Sequence, residues 1–198
     1  MILVLSSGFG EGAAARLARQ PGMAGRIAGL DQYAFDEASL AGRRALVIGM
    51  HCDQRFLAGR AGLIADFLRR GGRIVASGHH AYPILPGIGG FASPVRPTLA
   101  DLTIHRLADH PVWTGVDGAD LTFRRGVAGF YGRVWHDPPD GALIVNGIGP
   151  DRRPLDFIYD VGAGTVLFHG GNDLTGYGSA DDSSGRILPQ LLDWMMAS

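Results

Sequence analysis

The chain has 198 residues, of which 46% are hydrophobic and 19% charged, with a formal net charge of −1. That balance fits a globular protein with a sizeable core and argues against a disordered chain. It gives no broad attraction to nucleic acid or to an anionic membrane surface.

All 18 basic residues are arginine. The absence of lysine excludes a Schiff-base lysine, a phosphate-loop lysine of the Walker type and a Tyr-x-x-x-Lys pair. The single cysteine cannot form an internal disulfide, which suits a reducing, cytoplasmic setting. The sequence opens directly on Ile2-Leu3-Val4-Leu5, without the basic region of a signal peptide. No stretch approaches the roughly 20 apolar residues of a membrane span. The length predicts one domain over residues 1–198.

In chain order, residues 2–6 read as a buried strand closed by Ser6-Ser7-Gly8. Glu11 to Arg19 reads as a helix stopped by Gln20-Pro21-Gly22, and Arg26 to Leu30 as a second strand. Ala45 to Ile48 is a third strand. Arg55 to Arg70 carries apolar residues at helical spacing up to the Gly71-Gly72 stop, and Ile74 to Ala76 is the next strand. This β-α-β-β-α-β order predicts a parallel sheet with right-handed crossovers. The prolines and glycines of residues 81–100 predict a long loop over the sheet rim. Leu121 to Trp135 reads as short strands around Gly126, Gly129 and Gly132. Ala142 to Asn146, Leu155 to Tyr159 and Thr165 to Phe168 read as a meander, and Ile187 to Met196 as a closing helix after an Asp181–Ser184 cap.

Several of these segments carry a resemblance: Ala45-Leu46-Val47-Ile48, the helix and strand Phe67 to His79, Asp109-His110-Pro111-Val112-Trp113 to Val116, Gly162 to Asp173, and Leu188 to Trp194. Together they resemble the class I glutamine amidotransferase-like fold, and within it the ThuA-like (trehalose-utilisation) branch. The resemblance implies an α/β, single-domain, flavodoxin-like three-layer sandwich with a mostly parallel sheet and a late antiparallel meander. An amidotransferase carries its nucleophilic cysteine on the turn after the strand Ile74–Ala76. Here that turn reads Ser77-Gly78-His79-His80, so the resemblance argues against glutamine hydrolysis and implies a carbohydrate-derived ligand.

Ligands of open parallel sheets bind beyond the carboxyl ends of the strands. His51, His79, His80, His169, the lone Cys52 and the acids Asp53 and Asp173 all follow predicted strands. Histidine titrates near neutrality, which makes it the natural general acid or base. His79 and His169 are the expected catalytic residues, with Asp173, four positions on, orienting the His169 imidazole. Ser7, Gly8, His51, Cys52, Asp53, Ser77, Gly78, His80, Tyr82 and Asn172 are the expected ligand-binding residues. Cys52, beside His51 and ahead of a helix, is either a nucleophile or a small buried hydrophobe. Several rim residues are competent metal ligands, but no HxxxH, HExxH or CxxC spacing is present, so no metal is assigned. Trp113, Tyr131, Trp135 and His136 are expected to cover the rim, and His105 and His110 to sit in a structural turn.

Two other readings stay open. One is a non-catalytic ligand-binding or assembly domain of the same fold. The other is an NAD(P) site on the Gly8-Phe9-Gly10 turn, with Asp31 at the distance of a ribose contact. The expected partner is a small-molecule ligand, not nucleic acid or membrane; no cofactor is named, and a homo-oligomer is left open.

Overall fold

The computed structural model describes residues 1–8, 12–178 and 181–197. Among the described residues, ten strands and five α-helices follow one another along the chain. Strand β1 (Ile2–Ser6), helix α1 (Ala13–Ala18), β2 (Ile27–Asp31) and β3 (Ala45–Ile48) come first. Helices α2 (Gln54–Ala58) and α3 (Ala61–Arg69) lead to β4 (Arg73–Ser77). Then come β5 (Phe91–Ala92), β6 (Ile104–Arg106), α4 (Gly118–Thr122) and β7 (Trp135–His136). Strands β8 (Leu143–Ile148), β9 (Arg153–Val161) and β10 (Gly164–His169) precede the last helix, α5 (Ile187–Met196).

Eight strands form one sheet in the order β2-β1-β3-β4-β10-β9-β8-β6. The first five are parallel, and the last three continue the sheet antiparallel. The chain is thus α/β with a large, mostly parallel sheet. Strands β5 and β7 pair separately.

The alternation of each strand explains the layers. Residues of successive parity face opposite sides. Leu3, Leu5, Leu46, Ile48, Ile74, Ala76, Val166 and Phe168 bury against Leu57 of α2 and Ile64, Phe67 and Leu68 of α3. Ile2, Val4, Val47, Val75 and Leu167 bury against Leu17 of α1 and Leu188, Leu191 and Met195 of α5. Both faces are apolar, as a sheet covered on both sides requires.

Three expectations are corrected. The helix expected over Arg55 to Arg70 is two helices, because Gly59 caps α2 and Arg60 precedes α3 outside helical geometry; glycine is a poor interior helix residue. The segment around Gly126, Gly129 and Gly132 is not a run of strands. Asp117 caps α4 by accepting from Ala119 N at 2.8 Å, a 3-10 turn follows at Arg124–Gly126, and only Trp135–His136 is extended into a named strand. Strand β6 was not expected; it pairs antiparallel with β8 at the sheet edge. The expected caps are partly seen: Asp182 accepts from Ser184 N at 2.9 Å ahead of α5.

Helix α3 and β10 approach so closely that Gly164 is obligatory. A Cβ there would lie 2.3 Å from Leu68 O and 2.4 Å from Gly72 O, both backbone atoms. Gly164→Ala should lower stability by about 1–3 kcal/mol in urea unfolding. Gly62→Ala on α3, where a Cβ meets nothing within 4 Å, should raise it by about 0.5–1 kcal/mol. Equal midpoints for the two variants would contradict this packing.

Candidate functional site at the carboxyl rim of the sheet

Strand β1 connects to β2 on one side, while β3 lies on its other side. That reversal is the switch point where open α/β sheets bind ligands. A cleft of about 360 Å³ lies there, lined among others by Ser6, Ser7, Arg16, His51, Asp173 and Thr175. Two smaller depressions continue along the rim. One, of about 150 Å³, shares Asp173 with the cleft and has Phe130, Asn172 and Tyr177 in its wall. The next, of about 220 Å³, shares Phe130 and Asn172 and is closed by His79, Gly129, Gly132, Arg133 and Gly171.

Asp173 does not serve His169. Its Oδ1 accepts from Met50 N at 2.7 Å, so it ties the turn after β10 to the turn after β3. A spacing of four residues suggested the pairing, but the chain after His169 turns outward through Gly170-Gly171 and forms a bridge from Gly171 to Gly132. The carboxylate beside His169 is Asp156, directly across the β9–β10 ladder. His169 Nδ1 lies 2.5 Å from Asp156 Oδ1, and both side chains are fully buried.

Asp156 is the hub of a buried network. Its Oδ2 accepts from Tyr131 Oη at 2.7 Å and from Asn146 Nδ2 at 2.6 Å. Tyr131 Oη accepts from Trp113 Nε1 at 2.8 Å. Two donors and the His169 ring nitrogen thus occupy both oxygens of one carboxyl group, as a buried polar group requires. The Tyr131 ring packs on the imidazole at 4.6 Å between centroids. His169 Nε2 has no hydrogen-bond partner among the described residues. It lies beneath Gly171, where a Cβ would come within 2.6 Å of it. Trp113, Tyr131 and His136 are therefore interior rather than a cover for the rim, and Trp135 is half-buried.

The turn after β4 holds His79, an exposed histidine. Gly78 has φ +111, and a Cβ there would meet Met50 Cα at 2.9 Å, so the sharp turn requires glycine. Gln54 clamps the turn: its Nε2 donates to His79 O at 2.7 Å, and its Oε1 accepts from Ala81 N at 2.8 Å. His79 is exposed and stands 5.7 Å from the Phe91 ring. Partial burial lowers its pKa from the ordinary value, with the nearby His169 and Arg133 adding to the effect. Each of these effects favours the neutral imidazole.

His80 points the other way, as strand parity demands. It is buried against Phe168, ring edge to face at 5.1 Å, and its backbone N–H donates to His136 Nε2 at 3.0 Å. It is not a rim residue. Ser77 is likewise buried, while Tyr82 is exposed and lines none of the three depressions.

The remaining expected residues divide. Ser7, His51 and Cys52 line the switch-point cleft. Cys52 is only 8% exposed, and burial pushes its thiol up to about 11, the opposite of what a nucleophile needs. Asp53 is a helix cap: it accepts from Phe56 N at 3.0 Å and from Tyr33 Oη at 3.1 Å, and lines none of the three depressions. Gly8 turns with φ +78, its N–H on Ser6 Oγ at 3.2 Å. Phe9, Gly10 and Glu11 of the NAD(P) reading lie outside the described residues. Asp31, the ribose partner in that reading, accepts from Tyr33 N at 2.8 Å as the cap of a 3-10 turn. Asn172 Nδ2 donates to Phe130 O at 2.7 Å and so holds the loop that carries Arg133. His105 lies in β6 and His110 caps a 3-10 turn, accepting from Val112 N at 3.3 Å. Among the described residues, no group of three or more His, Cys, Asp or Glu side chains is arranged to hold a metal ion.

Sequence reasoning missed Asp156, the inward role of Tyr131, Asn146, Gln54 and Arg133. The signal for the first and third was present: Asp156 and Asn146 are polar residues inside otherwise apolar strands, and such residues need partners.

Two measurements follow. Burial pushes His80 down to about 4 and His136 down to about 3, from an ordinary value of 6.5. Above that value neither state takes up a proton at these sites; below it only the unfolded chain does. Stability should therefore fall as pH drops from 6.5 towards 4, by up to about 1.4 kcal/mol per pH unit for each histidine. His136→Gln, whose amide can still accept from His80 N, should flatten that slope by up to one proton. Urea unfolding across this range checks it, and a flat profile would contradict the burial of both rings. Separately, Tyr131→Phe removes one donor from Asp156 and the acceptor of Trp113. It should cost about 1–3 kcal/mol, read as a shift in the urea midpoint.

No protein-family model matches the chain, and no curated protein matches it. Solved structures do. Cytoplasmic protein STM3548 from Salmonella typhimurium aligns with a TM-score of 0.65 at 13% identity, covering 98% of each chain. Cytoplasmic protein STM1381 from Salmonella typhimurium LT2 aligns at 0.58 and 13%, covering 98% of this chain and 95% of that one. A beta-galactosidase from Rahnella sp. R3 aligns at 0.58 and 15%, covering 100% of this chain but only 31% of the enzyme. At these identities the likeness is one of fold.

Proposed function

We propose that this chain is a ThuA-like member of the class I glutamine amidotransferase-like fold, without the amidotransferase nucleophile, that takes a small, polar, carbohydrate-derived metabolite at the carboxyl rim of its sheet. The observation that carries the reading is the set of three rim depressions that share walls, beginning in the switch-point cleft and ending at His79. The order β2-β1-β3-β4-β10 supports the flavodoxin-like assignment. The sharp Ser77-Gly78-His79 turn supports the amidotransferase-like one, with histidine where that chemistry would need cysteine. The partial likeness to a beta-galactosidase is in keeping with a carbohydrate ligand. The names of the two Salmonella relatives, and the absence of any described helix long and apolar enough to cross a membrane, are in keeping with a cytoplasmic protein.

If the ligand is converted, His79 is the group that moves the proton. It is exposed, shifted towards its neutral form and in the wall of a depression. His169 is instead a positioning residue, sealed under Gly171 and held by Asp156. That sealing favours the second reading, a binding or assembly domain without turnover.

Titration calorimetry with a panel of hexoses, disaccharides and hexuronates tests the proposal. Ser7→Trp, which fills the switch-point cleft, should weaken binding at least about tenfold, or 1.4 kcal/mol. His79→Ala should lower any turnover by about 10²–10⁴-fold, with much smaller changes in affinity. If no member of the panel binds, or binding survives both Ser7→Trp and Asn172→Trp, which fill opposite ends of the rim, the rim site is wrong. Binding without turnover, unchanged in His79→Ala, selects the second reading.

A further inference from the structure

The wall of the His79 depression contains a guanidinium and an imidazole but no carboxylate: His79, Gly129, Phe130, Gly132, Arg133, Gly171 and Asn172. In a chain of net charge −1, that is a local excess of positive charge rather than a property of the whole surface.

Arg133 is seated rather than loose. Its Nε–H donates to Gly129 O at 2.9 Å. Gly129 has φ +91, and a Cβ there would lie 2.9 Å from Arg133 Nε, so glycine makes room for the guanidinium. Asn172 fixes the same loop through Phe130 O. With Nε engaged, the outer edge of the guanidinium keeps its two terminal nitrogens for a ligand. That edge matches two oxygens of a carboxylate. Arg133 has no acidic partner among the described residues, and its charge reaches His79, whose pKa it helps to lower.

We infer that the rim site takes an acid: a small carboxylated sugar or hydroxy acid whose carboxylate lies on Arg133 with its hydroxyl carbons beside His79. This rests on the proposed rim site and adds the charge of its ligand. Arg133 is then the residue that sets specificity, and His79 meets the carbon or oxygen next to the anchored carboxylate. A depression of about 220 Å³ is below the usual range for drug-sized ligands, which suits a small metabolite.

The test compares a hexuronate, its parent hexose and the hexose 6-phosphate by calorimetry against the full chain, Arg133→Gln, Arg133→Lys and Ser7→Trp. Thermal melting confirms that the variants are folded. Expected is a hexuronate preference of at least about tenfold over the hexose, weakened by salt as exposed ion pairs are. Arg133→Gln should erase the preference, and Arg133→Lys should restore only part of it, because lysine lacks the planar fork. Equal binding of acid and parent hexose, still abolished by Ser7→Trp, would overturn this inference and leave the rim site standing. So would a preference that survives Arg133→Gln, or tighter binding of the 6-phosphate than of the hexuronate. No binding by any of the three would overturn both.

Discussion

The buried pair of His169 and Asp156 is the constraint on which the second half of the molecule is built. A carboxylate taken fully out of water is costly unless its oxygens are occupied. Here the partners come from four separate places in the chain: His169 on β10, Asn146 on β8, Tyr131 in the loop before β7 and, through the tyrosine hydroxyl, Trp113 in a 3-10 turn. Breaking a buried pair by removing one partner costs about 3–5 kcal/mol in other proteins. The arrangement therefore leaves these segments little freedom to shift separately. It also lies where the parallel half of the sheet meets the antiparallel extension, since β10 is parallel to β4 and antiparallel to β9. The network joins the two halves by polar contacts where the core joins them by apolar ones.

The geometry of the rim follows from that anchor. Fixing Tyr131 fixes the loop on either side of it, so Gly132 bridges Gly171 and Arg133 folds back onto Gly129. A Cβ at Gly171 would fall 1.8 Å from Tyr131 O. Two backbones pass so closely there that His169 is covered. The consequence is a division between two histidines on neighbouring strands. His169, in register with Ser77 on β4, faces inward and holds structure. His79, two residues beyond Ser77 on a glycine-enabled turn, faces solvent with its titration shifted down.

The strands of the parallel half were legible because their signal is simple. Four or five consecutive apolar residues ended by serine or glycine, and both faces buried, leave little alternative. The meander was legible for the same reason. Strand β6 was not, because Ile104-His105-Arg106 carries one buried residue and no alternation. The region before β7 misled because its glycines adopt positive φ at Gly126 and Gly129, which makes turns rather than strands. The rim position of His79, His51 and Asp173 could be read from strand ends alone. The partner of His169 could not. Spacing along the chain nominated Asp173, whereas the ladder register, which depends on how β9 and β10 pair, delivered Asp156. His80 was expected at the ligand with His79, but neighbours at a strand end point to opposite faces, and it packs inward on Phe168.

The same placement limits the chemistry open to the rim. The only thiol is buried and held protonated well above neutrality, and the turn after β4 has no hydroxyl or thiol beyond the buried Ser77. A covalent intermediate on a thiolate is therefore not supported by these residues. The buried imidazole, though carboxylate-backed like the base of a triad, has no nucleophile to activate on its free edge: the atoms over its Nε2 belong to a glycine backbone. Within the rim, His79 stands in one wall with Arg133 and no acid, its pKa lowered from the ordinary value. A base next to a fixed cation is suited to drawing a proton from a ligand that the cation holds, because partial burial, with the cation adding to it, favours the neutral base, and the cation favours the anion left behind.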